Sequence, residues 1–179
     1  MRPLADAAGE ELIWGQPKAL KRTHELRAGD EVIATLTFQR GSLAEAEAAD
    51  GHWTFKRQGF WQPRVSVRLA GSDADIAIFS PRWTGGGTLE PLGGKPIRFS
   101  SGNFWQTQWV WQETEEPLIR FKGRQGIMRA SGQVEVNPDA TGRPDLSLLV
   151  LLGWYLILLH AEDSAAASSA ATVAVVASS

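Results

Sequence analysis

The chain has 179 residues, a formal net charge of −2, no cysteine, and eight tryptophans against one tyrosine. That length favours one domain around one core, and the lack of cysteine excludes disulfides, thiolate nucleophiles and cysteine-held zinc or iron–sulfur centres. The slight acidity argues against a nucleic-acid binder, and the composition fits a reducing cytoplasm.

The N-terminal MRPLADAAGEEL has no apolar core, so no secretory signal is expected there. From Ile13 to Val136 short alternating segments are broken by Gly and Pro, the pattern of a sheet protein. EVIATLTFQ sets Val32, Ala34, Leu36 and Phe38 against Glu31, Ile33, Thr35 and Thr37. LAEAEAAD is rich in helix formers, yet its strict alternation and the strand-like HWTFKR beyond it favour an extended segment. RVSVRLA sets Val65, Val67 and Leu69 against Arg64, Ser66 and Arg68. DIAIFS, KPIRFSS, NFWQTQWVWQ, PLIRFKG, GIMRASG and QVEVN continue the series, with AGSD, TGGGT, LGGK, SSGN, GRQG and NPDATG as turns between them. The sum is about ten to twelve strands, spaced as in a sandwich or barrel.

LSLLVLLGWYLILLH, Leu146 to His160, then carries no charge apart from its terminal histidine. A membrane span needs roughly 20 apolar residues and is usually anchored by Lys or Arg, whereas this run is flanked by Asp145, Glu162 and Asp163. A buried core helix is the stronger reading, and a membrane span is the alternative. A helix apolar on every side must be surrounded on every side. A sheet of about twelve strands closes around a lumen wide enough for one, and strands spanning roughly 20 Å match the helix in length. The expected fold is therefore all-β with one central helix: a closed antiparallel barrel of about twelve strands over residues 12–163. The helix occupies about 144–161, with Pro144 and Asp145 in its first turn. The Ala/Ser-rich tail, residues 164–179, is expected to be disordered, fraying past Ser164.

Many strands followed by one very hydrophobic C-terminal helix ending in LLGWYLILLH resemble the tubby-like barrel superfamily. That group includes the tubby C-terminal domain, phospholipid scramblases and LURP-one-related proteins. AEAEAADGHWTFKRQGFWQPRVSVR looks like the strand pairs of its smaller members, and NFWQTQWVWQETEEPLIRFKG like their later hairpin. The resemblance implies a twelve-stranded barrel around a central helix and, for tubby domains and scramblases, dealings with phospholipid. A scramblase-like acylated anchor does not carry over, because this chain has no cysteine.

Chemistry-bearing groups are sparse. His24, His52 and His160 stand far apart, and no nucleophile, base and orienter form a group, so no enzyme activity and no cofactor are expected. TGGGT and LGGK lack the spacing of a phosphate loop, and Asp73 with Asp75 lack that of a calcium loop. In PLIRFKGR, alternation puts Arg120, Lys122 and Arg124 on one face and Ile119 with Phe121 on the other. Three outward cations can hold the phosphate of an anionic phospholipid at a membrane periphery; the plainer reading is a solvated wall paired with Glu113, Glu115 and Glu116. Arg64 with Arg68, and Lys18 with Arg22, alternate similarly. Trp105, Trp109 and Trp111 share a face, either packed around the helix or exposed to stack on sugars. The function expected is a binding or scaffold domain.

Overall fold

The structure is a computed structural model that describes residues 1–18, 21–83, 85–102, 107–124 and 131–177, the side chains of Arg124 and of residues 170–177 excepted. A short helix α1 (Leu4–Ala7) precedes twelve strands: β1 (Leu12–Gly15), β2 (Thr23–Ala28), β3 (Glu31–Phe38), β4 (Ala44–Ala48), β5 (Gly51–Gln58), β6 (Arg64–Leu69), β7 (Asp75–Pro81), β8 (Gly87–Pro91), β9 (Ile97–Ser101), β10 (Gln108–Glu113), β11 (Glu116–Arg124) and β12 (Ser131–Val136). Each pairs antiparallel with its neighbours in sequence. β1 closes the barrel on β12 through Leu12 opposite Val134 and Trp14 opposite Gly132. A single 3₁₀ turn (Pro138–Ala140) leads into α2 (Leu146–Ala177).

Period-two alternation sorts the side chains as expected in most strands. β4 is the clearest: Ala44, Ala46 and Ala48 are buried while Glu45 and Glu47 face solvent, so LAEAEAAD is a strand. Three expectations fail. Ile33, expected to face outward, is fully buried, because β2 pairs Leu26 with Ala34 and Arg27 with Val32 and leaves Ile33 as the extra residue of a bulge. Leu69, expected inside, keeps its register opposite the buried Trp53 but is half exposed at the last position of β6, and Ser66, expected outside, is buried.

α2 fills the lumen. Its residues from Leu146 to Leu159 are almost all buried, on every side. The tryptophans that face it do more than fill space. Trp14 stacks on Trp154 at 5.6 Å, and Trp111 Nε1 donates to the Leu149 carbonyl at 2.8 Å. Gly153 sits where a Cβ would stand 2.4 Å from the Phe121 ring, so its missing side chain lets the helix approach the wall. Near the other end of the lumen, the Tyr155 hydroxyl donates to Ser42 O at 2.6 Å and accepts from the Arg57 N–H at 3.2 Å.

Two helix boundaries differ from expectation. The helix begins at Leu146, with Asp145 held by Arg143 at 2.8 Å and its carbonyl accepting the Leu149 N–H. Fraying past Ser164 is not what is found, for the helix runs on to Ala177 with residues 161–169 exposed. Alanine is the best helix former, and extension of a helix already formed needs no new nucleus.

Candidate functional site

In an up-and-down barrel the connections alternate between two ends. One end receives the start of α2; the other is where α2 emerges, since Arg22 pairs with Glu162 at 3.5 Å and Arg57 with Asp163 at 2.7 Å just beyond the buried stretch. The two ends differ in charge. Connections at the helix-start end carry Asp30, Asp50, Asp73, Glu115, Asp139 and Asp145 against Lys95 and Arg143. Those at the exit end, with the strand residues beside them, carry Lys18, Lys21, Arg22, Arg40, Arg57, Arg64 and Arg82 against Glu45, and the connections themselves hold no Asp or Glu among the described residues. Glu162 and Asp163 on the emerging helix answer only Arg22 and Arg57. Lys18, Lys21, Arg40, Arg64 and Arg82 make no ion pair among the described residues.

The same end carries three exposed aromatic rings: Phe60 at 88%, Trp61 at 90% and Trp83 fully open to solvent. Their loops are shaped to present them. Phe60 and Trp61 ride the β5–β6 turn, where Gly59 has φ +83° and a Cβ would lie 2.6 Å from the Gln62 carbonyl. Trp83 tops the β7–β8 hairpin, closed by the Arg82 N–H on Gly86 O at 2.9 Å. Gly86 has φ +73°, and a Cβ there would sit 2.1 Å from the Phe99 carbonyl. TGGGT is thus a turn device that lets two backbones meet. Each ring left in water forgoes about 1.5–3 kcal/mol of burial, and nothing among the described residues covers them.

Between these two hairpins and the emerging helix lies a cavity of about 350 Å³. Its floor is the apolar top of the core, including Phe79, Trp109, Leu156 and Leu159; Phe60, Trp61 and Trp83 form the walls, and Arg57, Arg82, His160 and Asp163 stand at the mouth. The His160 ring packs edge-on to Trp109 at 5.0 Å.

The row singled out in the sequence lies elsewhere, on the side wall. Arg120 is exposed and opposite Glu135 in register. Lys122 is bound to Glu135 at 2.5 Å, and the side chain of Arg124 lies outside the described residues. The partner is thus Glu135 of β12, while Glu113 goes to Arg143 at 3.2 Å. Arg68 is tied to Asp75 at 2.6 Å. Lys18, Arg22 and Arg64 belong to the exit end.

Trp109 and Trp111 point inward and pack; Trp105 lies outside the described residues. Trp61 and Trp83 were not singled out in the sequence, and the signal missed is local. GFWQP and PRWTGG put a tryptophan inside turn chemistry, where no strand period can turn it inward. The histidines stay apart in kind. His52 is exposed on β5, His160 is half-buried at the exit, and His24 is buried on β2 beside Phe38 and Trp154. Burial, helped by the Arg22 charge, lowers the His24 pKa to about 4. No group of three or more His, Asp or Glu able to hold a metal occurs among the described residues.

No protein-family model, no curated protein and no solved structure matches the chain.

Proposed function

We propose that this chain is a non-enzymatic, peripheral membrane-binding domain that docks on anionic lipid through the end of the barrel from which the helix emerges. One observation carries the reading: three solvent-exposed aromatic rings share that end with seven Lys and Arg and no described loop carboxylate. Aromatic rings favour the boundary between headgroups and hydrocarbon. A basic residue near an anionic leaflet gains about 1 kcal/mol. The five cations without ion partners would supply about 5 kcal/mol at low salt, fading within a Debye length as salt rises. The net charge of −2 does not oppose docking, since the loop carboxylates stand at the far end. The location that follows is the cytoplasmic face of a membrane.

The twelve-stranded barrel around a buried C-terminal helix is consistent with a tubby-like fold, and we read the chain as a small member of that superfamily. The lipid habit of tubby domains and scramblases supports docking without specifying where. Stacking of sugars on Trp61 and Trp83 is less well supported, because a neutral ligand leaves the cations unexplained. A span is also less well supported: Leu146–Ser169 is long and apolar enough to cross a membrane, but most of its apolar stretch is enclosed by the barrel.

A second reading keeps the phospholipid headgroup on the side wall at Arg120, Lys122 and Arg124, favoured by the exposure of Arg120. Sedimentation with vesicles of phosphatidylcholine alone, or with one third phosphatidylglycerol, separates the two. Wild type should sediment with the anionic vesicles and less so at 0.5 M salt. A Phe60→Ser, Trp61→Ser, Trp83→Ser variant should stay in solution, whereas Arg120→Ala with Lys122→Ala should behave as wild type. Loss in the wall variant alone moves the site to the wall. No sedimentation of wild type at low salt ends both readings.

A further inference from the structure

We infer that the cavity beside the emerging helix is a binding site for one acyl chain bearing an anionic head, taken up as a single molecule. The inference rests on membrane docking for where the ligand comes from, but the cavity is argued from its own lining.

At about 350 Å³ it lies near the lower end of ligand pockets. With roughly 30 Å³ for each water-sized group, it takes on the order of a dozen heavy atoms. That is one acyl chain of modest length and not the two chains of a phospholipid. Its chemistry is graded along the direction a chain would enter. The floor is made of buried core groups, Phe79, Phe99, Trp109, Leu156 and Leu159, which offer a chain methylenes and ring faces but few hydrogen-bonding groups. The walls are Phe60 and Trp61, packed edge to face at 5.4 Å, with Trp83 across from them on the other hairpin. A chain between them covers rings that otherwise stand in water.

The mouth fixes the sign of the head. Arg82 is exposed and makes no ion pair among the described residues, while Arg57 holds Asp163 at 2.7 Å with both side chains partly open to solvent. A carboxylate or phosphate arriving there meets one free guanidinium and a second already shared with Asp163. A cationic head would find Arg57, Arg82 and a single carboxylate that is already engaged. An amide- or hydroxyl-headed chain would gain the floor and walls and nothing from Arg82. The emerging helix supplies part of the site itself, through Leu156, Leu159, His160 and Asp163.

The test uses decanoate as the probe, a chain whose size matches that volume, with the full-length protein and no vesicles, below the concentration at which the probe aggregates, and follows binding by calorimetry and tryptophan fluorescence. One probe per protein should bind, at least ten-fold more tightly than decanol. Arg82→Glu, a surface change compatible with folding, should weaken binding at least five-fold, and Val65→Phe, which puts a ring into the cavity floor, should abolish it. Absence of saturable binding by wild type overturns the site, and so does binding indifferent to both substitutions. Equal affinity for acid and alcohol overturns the anionic head. Vesicle sedimentation of wild type runs alongside. Probe binding without sedimentation leaves the cavity assignment standing and removes the docking proposal; sedimentation without probe binding does the reverse.

Discussion

Acidification should expose the price of burying His24. Its imidazole lies on β2 at 7% exposure, edge-on to Phe38 and Trp154, and its Nδ1 has no hydrogen-bond partner among the described residues. Burial, helped by the nearby Arg22 guanidinium, disfavours the charged form, and the pKa falls from 6.5 to about 4. The unfolded chain therefore binds a proton near pH 6.5 that the folded chain refuses until about pH 4. The stability tied to this group is fully present above about pH 7 and is lost progressively as pH falls through that window. At about 1.4 kcal/mol per pH unit the loss approaches 3 kcal/mol by pH 4. Urea unfolding of wild type and of His24→Gln, followed by tryptophan fluorescence at half-unit steps from pH 7.5 to 4.5, isolates it from the carboxylates, which titrate in both proteins. The wild-type midpoint should fall faster than that of the variant below about pH 7, and in parallel with it above. Parallel pH profiles would refute the reasoning and mean that the imidazole is protonated in the folded state at no special cost.

Gly153→Ala brings a Cβ to 2.4 Å from Phe121 and 2.7 Å from Trp111 Nε1. Overpacking should destabilise by about 1–3 kcal/mol, more than the roughly 1 kcal/mol that alanine gains in helix propensity, so a raised melting temperature would show that the lumen has slack. Tyr155→Phe strands Ser42 O and the Arg57 N–H and should cost about 1–3 kcal/mol; calorimetry showing no loss would mean that solvent already serves those groups.

The barrel was legible in the sequence because two patterns required each other. A helix without a polar face, Leu146–His160, needs a wall on every side, and period-two segments such as AEAEA supply one with small residues turned inward. Ile33 was misjudged because a bulge, which belongs to a pair of strands rather than to either one alone, changes the phase of the alternation, and Leu69 because alternation does not show where a strand ends at the barrel rim. The helix end was missed for a different reason. The Ala/Ser composition beyond Ser164 looked featureless, but a helix already anchored by the barrel extends through such residues at little cost. The exit end was hardest to see. Its cations, at Lys18, Arg40, Arg57, Arg64 and Arg82, are scattered along the chain and gather only when alternate connections fall on one end. Arg120 and Lys122 stood two residues apart in the sequence and were conspicuous, yet Lys122 is occupied by Glu135. Trp61 and Trp83 were hidden among eight tryptophans, five of which are buried among the described residues.

The orientation of the barrel on a membrane tests docking most directly, and the absence of native cysteine makes the labelling simple. Single cysteines placed by Gln62→Cys beside the aromatic tips, Val110→Cys on the wall next to Arg120, and Asp50→Cys at the helix-start end would each carry an environment-sensitive nitrobenzoxadiazole label. On phosphatidylglycerol-containing vesicles the label at position 62 should brighten, shift to the blue and be quenched by spin-labelled lipid. Labels at positions 110 and 50 should remain as they are in water. Quenching at position 110 without quenching at 62, or no change at any of the three while the protein is vesicle-bound, would contradict docking through the helix-exit end.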